Sequence, residues 1–283
     1  MKDNRRIARS PKGLTEVGRT FGIAALTTFV AFTTVSCSTS NDVLVTEIGV
    51  SPPKPPSAKP TKASDFYIQG QYKHIKGDSK GAMAAYTKAI SLNPNYADAY
   101  NSRGLVHFEM GDKQAAIADY DEAIRLNPNY AQAYNNRGDA LADQKDISNA
   151  IEDYKEAIRL VPNYAQAYNN RGNAYAAQGD QNRAMEDYNQ AIRLDPKYAV
   201  AYNNRANARA AQGDRDGAIA DYNEAIRLNP KFAAAFNNRG NTRAALLDKQ
   251  GAMADLQKAA NLFKQQNNLG MYQQVMNNMK DIH

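Results

Sequence analysis

The 283-residue chain has no tryptophan, one cysteine and three histidines. One thiol can close no internal disulfide and build no cysteine-rich zinc site. His74, His107 and His283 are scattered, and no nucleophile stands at a meaningful spacing from any of them. No glycine-rich phosphate loop or dinucleotide fingerprint is present. The chain is therefore read as a non-enzyme with no metal, cofactor or small-molecule substrate. Hydrophobic residues at 43% and charged residues at 23% exclude wholesale disorder and a collagen-like fibre.

The net charge of +6 would suit a nucleic-acid binder if it were spread over a folded surface. Instead, residues 1–36 carry +4 of it, through Lys2, Arg5, Arg6, Arg9, Lys12 and Arg19 against Asp3 and Glu16. The rest is nearly neutral with both signs interspersed, which gives no footprint for phosphate backbones. No nucleic-acid partner is expected.

That basic stretch leads into Phe21–Val35, fifteen residues without a charge. This is short for a membrane-spanning helix, which needs about 20 apolar residues. A basic segment followed by ~7–15 apolar residues is the pattern of a secretory signal peptide. Val35-Ser36-Cys37 resembles the end of a bacterial lipobox, which implies that Cys37, the only cysteine, is lipidated and becomes the new N-terminus. An uncleaved anchor, an organelle transit peptide and cleavage without lipid are the alternatives. From Ser38 to Lys62 follow Pro52, Pro53, Pro55, Pro56 and Pro60 among Ser, Lys and Ala. That composition favours an extended tether of roughly 3 Å per residue.

Five further prolines, Pro94, Pro128, Pro162, Pro196 and Pro230, are each 34 residues apart. Whole phrases repeat with them, such as LNPNYAQAYNNRG and LDPKYAVAYNNRA. A fixed period of this size predicts a stacked repeat array. Tyr100, Gly104 and His107 share one helical face, and Ala116, Tyr120, Ala123 and Ile124 share another. Asp78, Asp112, Asp146, Asp180, Asp214 and Asp248 recur before the second helix of every repeat, four of them after glycine. That is a glycine stop followed by an aspartate N-cap. The recurring proline ends each second helix, because it disfavours helical geometry in the residue before it.

The columns Tyr100, Gly104, Ala116, Tyr120, Ala123 and Pro128 resemble the tetratricopeptide-repeat (TPR) family. The resemblance implies an all-α, right-handed α-solenoid of helix-turn-helix repeats. Six repeats start at Ala63, Ala97, Ala131, Ala165, Ala199 and Ala233. The organisation is then a signal peptide (1–36), lipidated Cys37 and Pro-rich linker (37–62), six repeats (63–266) and a capping helix (267–283). The cap follows from Met271, Tyr272, Val275, Met276, Met279 and Ile282 at helical spacing, since a terminal repeat exposes an apolar face. Arg103, Arg137, Arg171, Arg205 and Arg239 occur in repeats two to six together with Asp119, Asp153, Asp187, Asp221 and Asp255. The first repeat lacks both, with Gln69 and Ala85 in their place. Their shared absence predicts structural Arg–Asp pairs.

In this family the first helices line a concave groove. On them, Gln132, Asn135 and Asp139, then Gln166, Asn169 and Asn173, share a face by 3-4 spacing. Asn203 and Asn207, and Asn237 and Asn241, continue the columns over Ala142, Ala176, Ala210 and Ala244. An amide both donates and accepts, so such a ladder can grip a peptide backbone whatever its sequence. The expected function is a protein–protein interaction scaffold at a bacterial envelope membrane, binding proteins or peptides in the groove. A self-associating structural array, and an exported protein with a non-lipid signal, are the alternatives.

Overall fold

The computed structural model describes residues 60–282. The signal peptide, Cys37 and all of the linker except its last three residues lie outside the described residues. Among the described residues there are thirteen helices and no strand. The first helices of the repeats are α1 (Ala63–Ile75), α3 (Ala97–Glu109), α5 (Ala131–Asp143), α7 (Ala165–Ala177), α9 (Ala199–Ala211) and α11 (Ala233–Ala245). Each is followed by its second helix: α2 (Ser79–Leu92), α4 (Lys113–Leu126), α6 (Ile147–Leu160), α8 (Gln181–Leu194), α10 (Arg215–Leu228) and α12 (Lys249–Gln265). A last helix, α13 (Leu269–Lys280), closes the array. Each helix packs on its chain neighbours, so the pairs stack as a right-handed α-solenoid.

The local punctuation is that of the sequence. The side chains of Asp78, Asp112, Asp146, Asp180, Asp214 and Asp248 accept the backbone N–H three residues on, at the start of all six second helices. The residue before each aspartate has positive φ: Gly77, Gly111, Gly179 and Gly213, but also Lys145 and Leu247. The second helices α2, α4, α6, α8 and α10 stop at the second residue before their proline.

Close packing within a pair rests on one small residue against one ring. A Cβ added to Gly104, Gly138 or Gly172 would sit 2.7–2.8 Å from a ring carbon of Tyr120, Tyr154 or Tyr188. In the fifth repeat Ala206 takes that place and packs with Tyr222. Buried alanines fill the remaining space, with Ala116, Ala123, Ala150, Ala157, Ala184 and Ala191 at 0% exposure. At the C-terminal end Leu256, Phe263 and Val275 are fully buried, and Met271, Tyr272, Met276, Met279 and Ile282 pack around them. Gln273, Gln274, Asn277 and Lys280 face solvent. The last helix is thus a cap with a polar outer face.

Candidate functional site: the first-helix surface

Four of the five arginines of this column are held from three sides, and Arg171 from within its own repeat. Arg103, Arg137, Arg171, Arg205 and Arg239 each donate through Nε and Nη2 to both oxygens of the aspartate in their own repeat, at 2.6–2.8 Å. Hydrogen bonding to that carboxylate raises Arg103, Arg137 and Arg171 further above the usual guanidinium range. The same guanidinium stacks on the aromatic ring three residues earlier, Tyr100, Tyr134, Tyr168, Tyr202 or Phe236, at 5.4–5.6 Å. Nη1 then reaches back to the preceding repeat: to Thr87 (3.3 Å), Asp121 (2.7 Å), Asn189 (2.8 Å) and Asn223 (2.6 Å) from Arg103, Arg137, Arg205 and Arg239. Before Arg171 that position is Lys155, which pairs with Glu152 instead. All five arginines pair with the aspartate of their own repeat, as the shared distribution predicts, and all but Arg171 also clamp the preceding repeat.

The amide columns divide by depth. Asn135, Asn169, Asn203 and Asn237 are buried, with exposures of 0–7%. Gln132, Asp139, Gln166, Asn173 and Asn207 are half-buried, and Asn241 is exposed. The buried column is occupied by its neighbours. Asn136 Nδ2 donates to Asn101 Oδ1, Asn170 to Asn135, Asn204 to Asn169 and Asn238 to Asn203, at 2.9–3.2 Å. These bonds tie each first helix to the next, so the expected lining narrows to the other six positions. Asn237 Oδ1 ends the ladder, buried and without a partner among the described residues. One period after Asn238 the chain has Tyr272 instead of a donor amide.

The outer column is oriented from below. Tyr154 OH donates to Asp139 Oδ1 at 2.7 Å, Tyr188 to Asn173 at 2.8 Å and Tyr222 to Asn207 at 2.6 Å. Burial pushes all three hydroxyls well above the ordinary tyrosine range, so they stay protonated donors. Asn170 and Asn238 donate to the same oxygens of Asp139 and Asn207 from the next repeat. Asn278 of the cap donates to Asn241 at 3.3 Å. Ala142, Ala176, Ala210 and Ala244 form a half-buried floor beside this column. The first column of this face runs Asp98, Gln132, Gln166, Val200 and Ala234 from the second repeat to the sixth, so it passes from acidic through amide to apolar.

The roles of Asn136, Asn170, Asn204 and Asn238 are not assigned by face-counting alone. The available signal is that two adjacent asparagine columns persist together from the third repeat on. Arg137-Gly138-Asp139 resembles an adhesion tripeptide in sequence only, since Gly138 lies under Tyr154 and both charges are engaged.

The family described as "TPR repeat" matches residues 64–111, 138–179, 172–213 and 206–246, and that described as "Tetratricopeptide repeat" matches 97–130 and 119–152. The chain is a tetratricopeptide-repeat protein. No curated protein sequence matches it. Among solved structures, a crystal structure of MamA is 30% identical, covering 58% of this TPR chain and 96% of that one with a TM-score of 0.50. The protein pilF of Pseudomonas aeruginosa is 18% identical, covering 76% and 97% with a TM-score of 0.64. A chain of the APC/C hetero-tetramer Cut9–Hcn1 is 18% identical, covering 86% and 45% with a TM-score of 0.72. The last two likenesses concern the fold alone. A TPR array is a protein-interaction scaffold. Among the described residues no group of His, Cys, Asp and Glu is placed to hold a metal ion, and no helix is long and apolar enough to cross a membrane.

Proposed function

We propose that this TPR protein is an exported, lipid-anchored scaffold of the bacterial cell envelope whose concave surface holds a segment of a protein partner. The observation that carries the groove reading is the tyrosine-oriented column. Tyr188 and Tyr222 bind the oxygens of Asn173 and Asn207. A primary amide fixed through its oxygen has its two N–H donors turned the other way. We assign those donors, with Gln132, Gln166 and Asn241, to carbonyl oxygens of an extended partner segment. Asp139 is assigned to a donor of the partner at the acidic end. The Ala176–Ala210–Ala244 floor lets that segment lie close. Asn135, Asn169 and Asn203 hold the helices in register beneath it. Preorganised polar groups on rigid helices cost little ordering entropy on binding.

The anchor reading rests on the sequence of residues 21–37. Cleavage before Cys37 and acylation would place the array at a membrane surface, with one acyl chain binding only marginally and stable anchoring needing more than one.

Two experiments test these parts separately. The wild-type chain is expected in the membrane fraction and Cys37→Ala in the soluble one; a Cys37→Ala protein that stays with membranes removes the lipid anchor. Gln166→Arg with Ala210→Arg is expected to abolish partner capture from membrane extracts while helical content is unchanged. Undiminished capture removes the groove reading and leaves the anchor untouched.

A further inference from the structure

The N-terminal end of the first-helix surface departs from the later repeats at two residues. Tyr67 stands where Asn101, Asn135, Asn169, Asn203 and Asn237 stand further on. Asp98 is the one acid in a column that reads Ser64, Asp98, Gln132, Gln166, Val200 and Ala234. Both meet the aromatic residue that precedes a first helix, Tyr96 or Tyr130. The Tyr67 and Tyr96 rings lie 5.0 Å apart with a tilt of 46°. Tyr67 is seated on the core of the first pair, 5.8 Å from the Tyr86 ring. Its hydroxyl accepts from Gln71 Nε2 at 3.1 Å and from Ser102 Oγ at 3.4 Å. Tyr130 OH accepts from Asn101 Nδ2 at 3.5 Å and donates to Asp98. Burial, then the charge of Asp98, pushes that hydroxyl well above the ordinary tyrosine range, so it stays a donor. The hydroxyls are thus engaged within the array. What the cluster offers a ligand is aromatic ring and carboxylate.

The three rings are half-buried and Asp98 is exposed. A carboxylate accepts about four hydrogen bonds, and Tyr130 supplies one of them. The nearby cations are committed elsewhere: Arg103 to Asp119, Lys113 to Asp143, and Arg137 to Asp121 and Asp153. Among the described residues no lysine or arginine pairs with Asp98. Asp98 lies in the first turn of α3, where the helix dipole favours an acid. That role explains the carboxylate and not the rings around it.

The array itself shows what completes such a cluster. In the clamps an arginine joins a ring to a carboxylate: Arg103 lies 5.5 Å from the Tyr100 ring centre and forks onto both oxygens of Asp119. At Tyr67, Tyr96, Tyr130 and Asp98 ring and carboxylate stand together again without the cation. We propose that this cluster takes an arginine side chain of the partner segment, a proposal that rests on the groove reading. Arginine suits it better than lysine, because a planar guanidinium stacks on a ring while it forks onto a carboxylate. The same column ends on Val200 and Ala234, which give a guanidinium no acceptor. The segment therefore lies with its arginine over the second repeat, and the cluster fixes its direction along the groove.

Panning random decapeptides on the full chain tests this. The wild type is expected to enrich arginine at one position of the retained peptides. Replacing that arginine by citrulline, which keeps the shape and loses the charge, is expected to weaken binding by roughly three- to tenfold. Asp98→Asn removes the charge and keeps an acceptor for Tyr130. It is expected to retain peptides without the arginine preference, and to bind the arginine and citrulline forms alike. Peptides retained by the wild type with no arginine preference overturn the proposal and leave the groove reading standing. So does an arginine preference that Asp98→Asn leaves intact. A library from which the wild type retains nothing overturns the groove reading and this proposal with it.

Discussion

At the residue scale the array is secured by Arg–Asp pairs whose aspartates are nearly sealed off. Asp187 has a side-chain exposure of 7% and receives two bonds from Arg171. Removing the arginine leaves a buried, uncompensated carboxylate, which costs about 3–5 kcal/mol. Arg171→Met is therefore expected to lower the urea midpoint strongly, and Arg171→Lys to rescue little, because an ammonium cannot form the bidentate fork. Adding Asp187→Leu to Arg171→Met should recover much of the loss; if it does not, the pair is not the cause. The caps give a pH dependence. Backbone hydrogen bonding from Arg183 holds the Asp180 carboxyl below its ordinary value of 3.8. A carboxyl lowered on folding contributes stability above its unfolded pKa and loses it as pH falls through the folded one. The contribution is thus present above about pH 4 and disappears below it. Asp180→Asn keeps a capping oxygen but cannot titrate, so its stability should fall less steeply than wild type between about pH 5 and pH 3. Parallel curves for the two proteins would contradict this.

At the scale of elements, one turn recurs six times and twice lacks its glycine. Lys145 and Leu247 adopt φ of 70° and 64°, where Gly77, Gly111, Gly179 and Gly213 stand in the other repeats. The left-handed conformation costs a side-chain-bearing residue roughly 1–2 kcal/mol. Lys145→Gly and Leu247→Gly should each stabilise the array, raising its melting temperature by about 2–4 °C per kcal/mol in a chain of this size. Calorimetry showing no rise for either would mean the turn is relaxed in solution. The ring-on-glycine contact gives the opposite sign. Gly172→Val places a branched side chain against Tyr188 and should cost about 1–3 kcal/mol. Ala206 in the fifth repeat shows that a single methyl is accommodated at this position, so Gly172→Ala should cost less.

At the scale of the molecule, most of the fold is legible in the sequence because its determinants are local and repeated. Proline at positions 94, 128, 162, 196 and 230 marks where the first five second helices stop, and Asp112 with its counterparts marks where they start. The clamps are legible because the first repeat, with Gln69 and Ala85, loses arginine and aspartate together. The surface is harder to read. Helical periodicity places Asn135 and Asp139 on one side of α5, but not their depth, which depends on how closely the next first helix approaches. That approach sets the offset of 35 residues between Asn170 and Asn135, one more than the repeat, and it turns half of the amides inward. What remains for the proposed partner is the surface of Gln132, Asp139, Gln166, Asn173, Asn207 and Asn241 over its alanine floor. Site-specific photocrosslinking tests this most directly. A photoreactive residue is placed at Ala210, in the groove, or at Lys258, exposed on α12. The account predicts that Ala210 crosslinks a distinct membrane-extract protein and that Lys258 does not. The same crosslinked partner from both positions, or from Lys258 alone, would contradict it.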